Sequence, residues 1–121
     1  MNHDSLHGTW QVIKAELGGQ PMPADAAVHV ELEFTAEGYA VRFGDTVTDS
    51  GRYSLVAAEP HHQINMIGQS GVNAGRTIPG IIQLQGDRLR LCFALENEKP
   101  PTEFSAPAGT LFYLATYRRK T

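Results

Sequence analysis

The feature that most constrains this chain is a period of two. Val28-His29-Val30-Glu31-Leu32-Glu33-Phe34 alternates apolar and polar side chains without a break. Tyr39-Ala40-Val41-Arg42-Phe43 and Leu89-Arg90-Leu91-Cys92-Phe93 repeat the pattern. Successive side chains of an extended strand point to opposite faces, so each run predicts a strand with one wet face and one dry face. Weaker strands over 9–17, 46–55, 63–67, 77–85 and 111–118 bring the count to about eight. Strands with one dry face bury it most simply by closing on themselves. The expected fold is all-β, a small up-and-down antiparallel barrel of about eight strands.

The turns between the runs agree. Thr35-Ala36-Glu37-Gly38, Gly44-Asp45 and Gln85-Gly86-Asp87 are hairpin-sized, with glycine to supply a positive φ. Pro79-Gly80 interrupts the sixth strand, and the lost donor predicts a bulge or bend there. The one helical candidate, 23–27, opens on proline and is long enough for one short turn. In an up-and-down barrel the connections alternate between the two ends. The long ones, 18–27, 68–76 and 96–109, fall on one end by parity, and Gly44-Asp45 is the short exception there. The pattern predicts a cup with an elaborated rim and a closed base. Trp10 at the start of the first strand and Arg118 at the end of the last lie at the base.

A chain of 121 residues is one domain by default and long enough for a core of its own. Its formal net charge is −3, with no block of either sign beyond Arg118-Arg119-Lys120, which argues against a nucleic-acid partner. Cys92 is the only cysteine, so an intrachain disulfide is impossible. No apolar run approaches the ~20 residues of a helical membrane span. Residues 1–5 show no basic and apolar leader, and the expectation is a cytoplasmic protein; a chain whose signal peptide had been trimmed would read the same.

A resemblance adds to this. Leu6-x-Gly8-Thr9-Trp10, Gly51-Arg52-Tyr53, the segment from Gly80 through Gly86-Asp87 to Ala94, and Pro101-Thr102-Glu103-Phe104 stand in the order and spacing of a known family. The chain resembles the lipocalin-like domain of unknown function first described from Planctomycetes, from Leu6 to about Arg119. It departs at Lys99-Pro100, where an arginine is common, and in a last strand about two residues longer. The resemblance implies a lipocalin-like barrel and no established activity. It also implies a plug: the indole of Trp10 fills the closed end and an arginine of the last strand, Arg118 or Arg119, stacks on it.

Candidates for chemistry are sparse. The histidines lack metal-ligand spacing, and adjacent His61 and His62 would point to opposite faces of a strand, so solvated loop residues are the better expectation. Cys92 shares a face with Arg88 and Arg90 but sits in an apolar run, which favours a packed thiol over a nucleophile. The glycines at 68, 71 and 75 precede a strand and not a helix, so they make a flexible rim loop; Arg76 beside them is a candidate anion contact. Glu103 sits in a proline-stiffened loop at the open end, where ordering that loop is a simpler role than catalysis. No metal or cofactor is implied.

The interior remains. Leu32, Tyr39, Phe43, Tyr53, Met66 and Phe93 are expected to face inward and line whatever cavity exists, below a rim carrying Arg76, Glu103 and Phe104. An eight-strand barrel is either filled by its side chains or holds one small ligand. The leading expectation is noncovalent binding of a small apolar or amphipathic molecule at the open end. The alternative is a protein-binding module, of inhibitor or immunity type, using the same rim. A barrel enzyme requires a buried polar dyad, and none is visible in the sequence.

Overall fold

The computed structural model describes residues 3–96 and 99–120. Its elements in chain order are α1 (His3–Leu6), β1 (Gly8–Leu17), β2 (Gln20–Pro21), α2 (Ala24–Ala27), β3 (Val30–Phe34), β4 (Tyr39–Phe43), β5 (Thr46–Val56), β6 (His62–Gly71), β7 (Thr77–Gln85), β8 (Arg88–Ala94) and β9 (Phe112–Arg119). From β3 onward each strand pairs antiparallel with the next, and β1 pairs with both β3 and β9, so eight strands close into a barrel. The two-residue β2 folds back onto β1 outside the ring. Strands take up 58% of the described residues, far above the 20–25% of an average domain, as the period of two requires. No helix among the described residues is long and apolar enough to cross a membrane.

Where the strands differ from expectation the causes are local. The run beginning at Val28 enters the sheet only at Val30, because Val28 and His29 close the α2 turn through bonds to the carbonyls of Ala24 and Ala26. Pro79 makes no bulge: it pairs in unbroken register with Asn65, and the β8 ladder begins one residue later at Gly80. The irregularities fall instead between Val12 and Lys14, Val41 and Arg42, and Ser50 and Gly51.

The closed end is a plug. Trp10 is fully buried and donates its indole N–H to the Leu6 carbonyl at 2.9 Å. The partner is Arg119, not Arg118. Register places Arg119 directly opposite Trp10, so the two share a face, and the guanidinium carbon stands 4.2 Å from the ring centroid. Arg118 sits opposite Gln11 and is exposed. Arg119 also donates to the carbonyls of His7 at 2.8 Å and Ser5 at 2.9 Å, which ties the last strand to α1. That helix caps the base with the fully buried Leu6. Gly8 is needed here: its φ is +131°, and a Cβ would stand 3.2 Å from an Arg119 nitrogen.

Candidate functional site

The closed half of the barrel is filled. Trp10, Phe34, Ile64, Ile82, Leu89 and Leu91 are buried there, and Tyr53 packs edge-on against Phe34 at 4.8 Å. The open half is not. A cavity of about 240 Å³ lies there, walled by Val30, Leu32, Val41, Met66, Ile78 and Phe93, with Tyr113 and Tyr117 of β9 on one side. That is room for roughly eight waters at ~30 Å³ each. Glycine shapes one wall: Phe93 lies against Gly80 so closely that a Cβ there would meet its ring at 2.5 Å.

One polar group stands out among these apolar walls. Asp49 of β5 lines the cavity with only 7% of its surface exposed. The hydroxyl of Tyr39, from β4 below, donates to its carboxylate, 3.2 Å from each oxygen. From the turn between β6 and β7, the Asn73 amide donates to Oδ2 at 2.9 Å. The main chain reinforces that link, because Val72 N–H bonds the Thr48 carbonyl at 3.0 Å. Thr48 also lines the cavity, the extra residue where the pairing of β5 with β4 slips, as a bulge permits.

The phenols respond to this setting. Burial, with the negative Asp49 beside it and the bond to that carboxylate, pushes Tyr39 well above its ordinary value. Burial and the neighbouring Tyr113 hydroxyl push Tyr117 up likewise. Both hydroxyls stay protonated and act as donors. Tyr39 spends its proton on Asp49, which leaves the carboxylate as the acceptor of the site. Among the described residues the cavity lining holds no Arg, Lys, His, Cys or Ser.

The residues singled out in the sequence scatter. Leu32, Met66 and Phe93 line the cavity, and Tyr39 supports its floor through Asp49. Tyr53 does not line it: its ring lies in the closed half beside His3 of α1, at 4.8 Å. Phe43 does not line it either. It ends β4 at the rim, half exposed, with its ring on His29. Arg76 is at the rim but engaged, donating to the Leu95 carbonyl and to Asn73 Oδ1, with Glu96 3.8 Å away.

Phe104 and Glu103 are off the rim altogether. The connection from β8 to β9, of which 97 and 98 lie outside the described residues, runs down the outer wall. There Phe104 lies under the Arg90 guanidinium at 4.0 Å and against His61, a residue of the closed-end turn. Glu103 is exposed beside it. The physical reason is a dry patch on the outside. Ile81 and Cys92 are paired neighbours facing outward from β7 and β8, and the loop buries both, with Ala106. The Cys92 thiol points at the Ser105 carbonyl at 3.4 Å, and burial pushes its pKa up, as a packed thiol requires.

Asp49 is the cavity residue of most consequence that sequence reasoning missed, and Thr48, Val72, Ile78, Leu95, Tyr113 and Tyr117 were missed with it. A signal existed for Asp49, which has the same parity as Tyr53 and Leu55, both expected to face inward. Asn73 belongs to the rim loop as its sequence position implies, but its bond to Asp49 was not legible, because a loop has no parity. Two broader grooves lie on the outside, one lined by Gln83, Gln85, Arg88 and Arg90 and one by Arg88, Arg118 and Lys120; both are polar and open to solvent. No group of three metal-ligating side chains occurs among the described residues.

The chain matches no family model, no curated protein and no solved structure.

Proposed function

We propose that this protein binds a small apolar or amphipathic molecule in the open half of a lipocalin-like barrel. The observation that carries this is the unfilled volume of about 240 Å³ above a packed base. Apolar walls that face water at an open mouth gain free energy when an apolar ligand covers them, at about 25 cal/mol per Å² of apolar surface removed from water. Pockets that bind small molecules share this composition, apolar walls with a few placed polar groups. The Trp10–Arg119 plug supports kinship with the lipocalin-like family that the sequence resembles.

The test is an environment-sensitive apolar dye titrated into the unaltered chain and into Val41→Phe, which adds a ring to the cavity wall. The expected result is saturable binding that Val41→Phe weakens at least roughly tenfold, the loss from about 1.4 kcal/mol of excluded contact. Equal binding to both places the site elsewhere and overturns the proposal.

A second reading has its own observation. Val28, Phe43, Val47, Val72 and Leu111 are large apolar residues, each about half exposed or more, and all belong to the open end. An apolar rim of this kind suits a protein partner. Absence of dye binding to the unaltered chain moves the conclusion to that reading.

A further inference from the structure

We propose that the cavity selects a cation, a small ammonium carried on an apolar body, with its N–H donors on Asp49. The inference rests on the ligand-binding reading above and adds the chemical class of the ligand.

Asp49 is a carboxylate with 7% exposure, set in apolar walls. A charge in such a place is expensive unless it is paired. Its two donors, the Tyr39 hydroxyl and the Asn73 amide, are both neutral. They supply hydrogen bonds and leave the charge uncompensated. Among the described residues no Arg, Lys or His lies within ion-pair distance of it. The nearest guanidinium along the network, that of Arg76, bonds Asn73 on the far side of the amide and is otherwise directed to Leu95 and Glu96.

The carboxylate also keeps capacity. Two oxygens offer about four acceptor positions, and Tyr39 and Asn73 together supply two donors. An ammonium brings both the missing charge and the missing donors. The walls above Asp49 carry no positive group, so a ligand's carboxylate or phosphate finds no ion pair there and meets repulsion from Asp49. The volume holds one ring and a short arm, not a long chain.

The experiment uses three probes of one shape: cyclohexylmethylammonium, cyclohexylmethanol and cyclohexanecarboxylate. Each is titrated into the full chain and followed by NMR at the methyl groups of Leu32, Met66 and Ile78. The ammonium is expected to bind roughly tenfold more tightly than the alcohol or better, the worth of one charge-assisted hydrogen bond, and the carboxylate not at all. Asp49→Asn is expected to bring the ammonium down to the affinity of the alcohol, with the alcohol itself losing less than the ammonium. If Asp49→Asn does not fold, the ratio of ammonium to alcohol on the unaltered chain decides. An alcohol that shifts those methyls and binds as tightly as the ammonium overturns the selection of a cation and leaves the cavity reading standing. Methyl signals that none of the three probes moves overturn both.

Discussion

Single residues divide this molecule into a packed base and an open mouth. Trp10 belongs to the base. Its ring is fully buried, bonded to Leu6 and covered by Arg119. Trp10→Ala is expected to cost about 3–5 kcal/mol, since a large buried aromatic leaves a cavity that its surroundings cannot collapse into. Arg119→Ala is expected to cost about 1–3 kcal/mol through the stacked cation and its bonds to two carbonyls. Arg118→Ala, an exposed change one residue away, stays within about 0.5 kcal/mol of the parent. Urea midpoints of the three variants check the order, and a larger loss for Arg118 than for Arg119 refutes the pairing. Asp49 belongs to the mouth. Its sequence neighbourhood is a polar, weakly patterned strand whose parity points it inward, and the approach of Tyr39 and Asn73 makes it a buried acceptor.

Among the elements, the connection from β8 to β9 departs furthest from what its sequence announces. A long loop at the open end of a barrel reads as a rim, yet this one lies on the outer wall because Ile81 and Cys92 need cover. Phe104 fastens it, between Arg90 and His61. This predicts the behaviour of the thiol. Cys92 is fully buried and its pKa is raised, so it reacts slowly with an aromatic disulfide reagent. Phe104→Ala is expected to raise that rate about tenfold, the effect of ~1.4 kcal/mol removed from the closed loop, because reaction then follows the open population. An unchanged rate would mean that something other than Phe104 holds the loop down. The strands were more legible. Strict alternation found three strands of the barrel wall and weaker patterning the other five, although β6 continues to Gly71 on its pairing with β5 through residues expected in a flexible rim loop; proline with alanine found α2, because these signals are local.

At the scale of the whole molecule, the buried phenols link stability to pH. Tyr39, Tyr53, Tyr113 and Tyr117 are all raised above the ordinary 10.0, with burial the largest cause. Above that value the unfolded chain releases its phenolic protons while the folded chain still holds them. The unfolded state then binds fewer protons, so stability falls as pH rises and is fully present only below about pH 10. The urea midpoint is expected to drop between roughly pH 8 and roughly pH 11, and to drop less in Tyr117→Phe, which has one buried phenol fewer to titrate. Equal slopes would show that Tyr117 does not contribute. The sequence by itself determined the all-β class, the closure into eight strands and the end at which the base lies, because period, turn chemistry and connection parity are properties of neighbours in the chain. The tertiary structure alone decided that Arg119 and not Arg118 covers the indole, since a one-residue step in register reverses which face a side chain takes. It also decided that the base is full while the mouth is open, and that one carboxylate stands in that opening. Those outcomes depend on how residues far apart in sequence share a fixed volume, and no local pattern encodes that sharing.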